Sequence, residues 1–302
     1  MVQRHSSPDQ LAPGASGAAD PYPTRPLRIV VPFPPAGPTD IIGRMVAEKM
    51  TGLLGQNMIV ENKAGAAGSI GAVEVKNAKA DGYTFLFAPS STHAINPTAF
   101  VKPLYDPIKD FTPISSICVN PLVIVAHPSM PDTLMGLVEL MKKNPGKYSY
   151  GSSGAGGITH LAGEYLKMSV GGMNVEHIPY RGSMPALQDM MAGNVVWMFE
   201  TISTTLQFHR QGRVRILGYA HAKRAPAAPD IPTVIEAGVP GYEAYTFNLI
   251  LGPANTPKDV VDVVDQATRK LMADKAFTDS LEKIAAVPAL DTTPQRTEKF
   301  IK

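Results

Sequence analysis

The sequence predicts an α/β protein built as two similar blocks, and three observations predict it. Short apolar runs alternate with segments whose apolar residues recur at helical spacing. A glycine-rich passage from strand end to helix start occurs in two well-separated places. The 302 residues, with 44% hydrophobic and 18% charged content, suffice for one large or two ordinary domains with real cores.

Leu27 to Val31 is a continuously apolar run of the kind buried in a parallel sheet. A loop of Pro32, Phe33, Pro34, Pro35, Ala36 and Gly37 follows. Then Ile42, Met45, Val46, Met50 and Leu53 mark a helix, with Asp40 read as its cap and Gly52 or Gly55 as its stop. A strand over Met58 to Val60, a helix from Ser69 to Lys79, the turn Asp81-Gly82 and a strand over Tyr83 to Phe87 continue the alternation. A strand over Pro121 to Pro128 and a helix over Thr133 to Lys143 come next, stopped by Asn144-Pro145-Gly146. The opening pattern then returns: a strand ending near Tyr150, the loop Gly151 to Gly157, and a helix whose expected buried face is Ile158, Leu161, Ala162, Tyr165 and Leu166. The second block closes with a strand over Val175 to Ile178, a helix capped by Ser183 and stopped at Gly193, and strands over Val195 to Phe199 and Val214 to Tyr219. The proline-rich stretch Arg224 to Glu243 reads as a long ordered crossing between domains. Thr256-Pro257-Lys258-Asp259 reads as a capping-box helix start with proline at the first helical position, and the tail is helical.

Composition removes several function classes. The net charge of +2 has no Lys/Arg run behind it, so nucleic acid is not an expected partner. The single cysteine, Cys118, rules out an intrachain disulfide and any multi-cysteine metal site; one free cysteine suits the cytosol and the periplasm alike. The seven histidines show no metal-binding spacing, and no cofactor motif is present. No apolar run reaches the roughly 18 residues of a membrane span. Residues 1–23 are rich in Ser, Pro, Gly and Ala without an apolar export segment, and read as a disordered lead-in.

The two loops carry the chemistry. A helix N-terminus presents unpaired N–H groups and a positive dipole end, and a loop without bulky side chains lets a ligand reach them. Neither loop has the lysine of a P-loop, and "GSSGAGG" is not GxGxxG, so a nucleotide is disfavoured. A carboxylate asks for less: the backbone of Ala36, Gly37, Gly154 and Ala155 and the hydroxyls of Thr39, Ser152 and Ser153 supply enough donors. At about 1.5–3 kcal/mol per hydrogen bond to a charged group, two such clusters support binding of roughly −8 kcal/mol, which is micromolar. The competing interpretation is that each loop is a packing turn; their recurrence in two blocks favours a ligand held between them.

An enzyme is the rival class. Gly151-Ser152-Ser153-Gly154-Ala155 approaches the nucleophile elbow GxSxG, but Ala155 replaces the last glycine, and His160 reads as a solvent or cleft-edge histidine rather than a base for Ser153. Glu200 and Thr201 follow an apolar run at its carboxyl end, where open α/β sheets bind ligands. Ser90, Ser91, Thr92 and His93 follow another in the same way, and Arg181 is the best-placed cation.

The stretches "PLRIVVPFPPAGPTDIIGRMVAEKM", "VENKAGAAGSIGA", "ADGYTFLFA", "YSYGSSGAGGITHLAGEYLK", "HIPYRGSMPALQDMMAGNVVWMFE" and "AKRAPAAPDIPTVIEAGVPGYE" resemble the periplasmic solute receptors of tripartite tricarboxylate transporters, the Bug proteins, from about Tyr22 onward. The resemblance implies a type II periplasmic binding protein: two α/β lobes with a ligand cleft between them, residues 24–118 plus 226–302 forming lobe 1 and 119–225 lobe 2. It implies a periplasmic, non-catalytic, monomeric receptor that needs no cofactor and delivers a small carboxylate to a membrane permease; a sensor for a signalling system is the alternative. Carried over by position, it puts Phe33, Ala36, Gly37, Thr39 and Asp40 on one side of the ligand. Ser152, Ser153, Gly154 and Thr159 lie on the other, with Ser91, His93, Arg181, Glu200 and Thr201 at the distal end. Three residues depart from the family pattern: Ala36 replaces a glycine, Glu200 stands where aspartate is commoner, and Phe247 sits near a usual tryptophan.

Overall fold

The structure, a computed structural model, describes residues 22–99 and 101–302; the lead-in expected over 1–23 lies almost wholly outside them. The first block runs β1 (Leu27–Val31), α1 (Pro38–Leu54), β2 (Met58–Asn62), α2 (Ser69–Lys76), β3 (Thr84–Pro89) and the short α3 (Asn96–Ala99) into the long β4 (Phe111–Ala126). The second runs α4 (Leu134–Lys143), β5 (Ser149–Ser152), α5 (Ile158–Ser169), β6 (Glu176–Pro179), α6 (Ser183–Met191), β7 (Trp197–Thr201), α7 (Ile202–Arg210) and β8 (Arg215–Tyr219). The chain ends with β9 (Tyr245–Pro253), α8 (Lys258–Ala273), α9 (Lys275–Lys283), β10 (Val287–Pro288) and α10 (Pro294–Ile301).

One strand order is used twice. The first half of the sheet is β2-β1-β3-β9-β4 and the second is β6-β5-β7-β4-β8, each with one antiparallel strand inserted fourth. β4 serves both: residues 111–121 pair with β9, and residues 122–126 lie between β7 and β8. Helices cover both faces of each half, which explains the uninterrupted apolar runs. On β3, Phe85 and Phe87 face α1 and α8, while Leu86 and Ala88 face the layer of α2. In the second half Leu122, Ile124, Trp197 and Phe199 fill one face, and Val123, Val125 and Met198 the other.

Several local expectations are corrected. Asp40 is not the cap of α1: Gly37 is, in extended conformation, because Pro38 is already suited to the first helical turn. Gly55, left-handed at φ 70°, ends α1, and Gly52 lies inside it. Thr256 does not cap α8; its hydroxyl donates to the Pro253 carbonyl (2.7 Å), and Pro257 stands at the cap. On α5 the buried face is Thr159, Ala162, Gly163 and Leu166, whereas Leu161 and Tyr165 are exposed. Gly163 replaces a larger residue because the Tyr150 ring lies where its Cβ would be, 2.4 Å away. The proline-rich segment is not a crossing. Ala225, Ala228 and Ile231 pack on one face of the second half and Val234, Val239 and Tyr242 on the other. The chain crosses between halves in the middle of β4 and again at Ala244–Tyr245, where the Leu122 N–H donates to the Ala244 carbonyl (2.9 Å).

Candidate ligand-binding cleft

Repeating the topology brings the carboxyl ends of β1, β3, β5 and β7 to one place between the halves. The cavity there is about 40 Å³, in a measure where one water occupies roughly 10–15 Å³. Four helices begin on its wall: α1 through Gly37 and Thr39, α5 through Ile158 and Thr159, α6 through Ser183, and α7 through Thr201. None of these four has a side-chain cap, nor do α2 and α8 elsewhere, whereas α4, α9 and α10 are capped by Thr133, Asp274 and Thr293. First-turn N–H groups and four positive dipole ends therefore converge on the cleft. Among the described residues no lysine or arginine lines this cavity; its walls are prolines, apolar side chains, hydroxyls and one carboxyl group, that of Glu200.

Of the residues the sequence points to, Phe33, Gly37, Thr39, Ser91, Ser153, Thr159, Glu200 and Thr201 line this cavity. Gly154 and Arg181 line an adjoining outer recess, which shares Phe33, Pro34 and Ser153 with it. The remaining four, Ala36, Asp40, Ser152 and His93, line neither. Ala36 adopts φ 63°, and its N–H is taken by Asp40 Oδ2 (2.9 Å). Asp40 also accepts from Arg44 Nε (3.0 Å) and Asn62 Nδ2 (2.8 Å). Burial works to raise its pKa, but the bonds from Arg44, Asn62 and the Ala36 N–H outweigh it, and the carboxyl is held below its ordinary value. Ser152 is fully buried, with its hydroxyl 2.7 Å from His177 Nε2.

His93 lies away from the cavity, against Tyr105 and Phe111, with both ring nitrogens lacking hydrogen-bond partners and its pKa pushed down to about 3 by burial. Its π-helical turn, Ser91–Ile95, aims the neighbouring Ser91 into the cleft and His93 the other way.

The second loop is braced by a stack of rings: Trp197 on Tyr150 (4.5 Å), Tyr150 on His177 (4.9 Å) and His177 on His160 (3.9 Å). His160 Nδ1 accepts from the Gly156 N–H (3.1 Å), so this histidine holds the loop from behind. Burial, then the charge of His160, pushes the His177 pKa down to about 4. Ser153, the elbow-like serine, shares a hydrogen bond with Thr159 (2.8 Å) instead of an imidazole, and its N–H donates to the same hydroxyl (2.9 Å). The halves touch across the cleft: the Ile158 N–H donates to Ser91 Oγ (3.2 Å), and a Cβ on Gly182 would meet Pro34 at 2.9 Å.

The sequence profile of the tripartite tricarboxylate transporter family receptor matches residues 42–302. The chain belongs to this family. Protein BugT of Bordetella pertussis is 32% identical over 286 residues, covering 94% of this chain and 87% of BugT. The structure of Rpa4515 from R. palustris with adipate superposes with a TM-score of 0.90 at 31% identity, covering 93% of this chain and 94% of that one. MatC (Rpa3494) from Rhodopseudomonas palustris with bound malate gives a TM-score of 0.87 at 27% identity, covering 93% and 96%. The fold is that of the two-lobe, type II periplasmic solute-binding proteins.

In this receptor-family protein some cavity residues escaped sequence reasoning. Ser183 reads in sequence only as a helix cap; Gly182 is the cap, and the serine faces the cleft. Thr246, which accepts from Ser90 Oγ (2.9 Å), sits on β9, a strand that adjacent prolines and glycines conceal in the sequence. Pro34, Pro38 and Leu122 also line the wall and carry no polar signal at all.

Proposed function

We propose that this protein is a periplasmic, monomeric, non-catalytic receptor that captures a small carboxylate between its lobes and delivers it to the membrane permease of a tripartite tricarboxylate transporter, without a cofactor. One observation carries the reading: four uncapped helix N-termini meet at a cavity that, among the described residues, no lysine or arginine lines, an arrangement that suits an anion held by N–H and hydroxyl donors. Relatives of the same fold bound to adipate and malate support the ligand class. Among the described residues no helix is long and apolar enough to cross a membrane, in keeping with a receptor that works beside its permease.

The packing supports lobes of residues 22–121 plus 245–302 and 122–244, closing by rotation about the two neighbouring crossings in β4 and at Ala244–Tyr245. The ligand carboxylate lies between Gly37, Thr39 and Ser91 of one lobe and Ser153, Thr159 and Ser183 of the other. A thermal-shift screen of carboxylic acids, each paired with its amide, tests this: an acid raises the melting midpoint by mass action and its amide does not. Equal shifts from acid and amide, or none with any acid, overturn it.

A further inference from the structure

Among the described residues Glu200 is the one ionisable side chain on the cavity wall, and it is fully buried. Its two oxygens are treated unequally. Oε1 accepts from the Thr201 N–H (2.8 Å) and the Thr201 hydroxyl (3.2 Å); the Thr204 hydroxyl lies 3.3 Å away, its one proton shared with the nearer Thr201 carbonyl (3.0 Å). Oε2 is buried with no hydrogen-bond partner. An ionised carboxylate gains by spreading its acceptors over both oxygens. A neutral acid instead has one carbonyl oxygen, which accepts, and one hydroxyl, which needs an acceptor for its proton. Donors gathered on one oxygen and none on the other match the neutral acid.

The surroundings agree. Ser183 at the head of α6, Thr201 at the end of β7, Thr204 of α7 and Val123 of β4 pack around Glu200, with Tyr219 of β8 one strand further on the same sheet face. Tyr219 is the other titratable group among these, and burial raises its pKa, so it stays uncharged. No cation stands in the cavity to pair an ionised glutamate. Burial raises the Glu200 pKa above its ordinary value, against the pull of the neighbouring Ser183 hydroxyl and the hydrogen bonds from Thr201 and Thr204.

We propose that Glu200 binds ligand as the uncharged acid, donating its Oε2 proton to a second, distal carboxylate, so that the cavity takes up a dicarboxylate together with one proton. This rests on the carboxylate-receptor reading and adds to it the far end of the ligand. The helix ends hold the first carboxylate, and the proton on Glu200 removes the repulsion that two ionised carboxyl groups would feel at this cavity wall. The proton comes from solvent, so binding at a pH where the free protein's Glu200 is ionised draws one proton per ligand.

Isothermal titration with succinate and with adipate, in two buffers of different ionisation enthalpy between pH 6 and 9, counts that proton. Uptake rising toward one proton per ligand, with affinity falling about tenfold per pH unit at the alkaline end, is the expected result. The variant Glu200→Gln, which keeps a donor in the same place, binds with no uptake and no alkaline slope. Wild-type protein that binds a dicarboxylate without proton uptake overturns the inference while leaving the receptor reading intact. So does tighter binding of L-aspartate than of either diacid without uptake, which would make Glu200 an ionised partner for an ammonium group. Absence of binding by every acid tried overturns both. The proton count needs only the wild-type protein, so it stands even if the variant fails to fold.

Discussion

Asp40 illustrates what a residue-scale reading catches and what it misses. Its type and place, just after a proline-glycine loop, mark it as belonging to a helix start, and that much is legible. The sequence does not show that Pro38 moves the start back by three residues, so that Asp40 turns inward and ties Ala36, Arg44 and Asn62 together beneath the loop. Replacing it leaves the Ala36 N–H and the Asn62 amide without their partner. Asp40→Ala is expected to destabilise the fold by about 2–3 kcal/mol in urea titrations. Because its folded pKa is depressed, its contribution is complete above the unfolded value of about 3.9 and disappears as pH falls through the folded value. His93 adds an acid-side loss at higher pH. It is held neutral in the fold down to about pH 3, while the unfolded chain binds its proton below about 6.5, so stability falls with pH between those limits. The slope is at most about 1.4 kcal/mol per pH unit for one group, and His93→Phe should flatten the melting-temperature profile between pH 6 and 4. A histidine after a strand end reads as a ligand group; the π-helical turn that faces it inward has no sequence mark.

At the scale of the element, the two glycine-rich loops were legible because small residues between a strand and a helix have few other uses. Their supports were not. The ring stack of Trp197, Tyr150, His177 and His160 joins four residues from three strands and a helix, and no local spacing announces it. The first half of β4 was missed for a different reason. Register shifts between Pro113 and Ser115 and between Ser116 and Cys118 break the two-residue alternation by which a strand is recognised. Gly182 gives the sharpest test of this level. It stands at φ 123° against Pro34 of the opposite lobe, and a methyl group there must push the lobes apart. Gly182→Ala is expected to weaken ligand binding at least tenfold in titration calorimetry, with a smaller loss in the melting temperature of the unliganded protein. Unchanged affinity would mean that the lobes do not need this contact to close on the ligand.

For the whole molecule, alternation of strands and helices was enough to establish the class and the recurrence of two blocks, because a parallel sheet covered on both faces requires apolar runs of that kind. What alternation cannot reveal is which strand is inserted into which half. β9 comes late in the chain yet lies between β3 and β4. That placement sets an order of events as well as a shape. Residues 122–244 form an uninterrupted stretch that can close on itself, whereas β1, β2 and β3 have no partner on the β3 edge until residue 245 and beyond have been made or have refolded. The only tryptophan, Trp197, is buried in the early half. On dilution from urea its fluorescence should regain the native value before the far-ultraviolet circular dichroism does, and coincident recovery would rule out this sequence of steps. During that interval an apolar strand edge stands open, so the half-made chain is the form most exposed to aggregation and most in need of a holding chaperone.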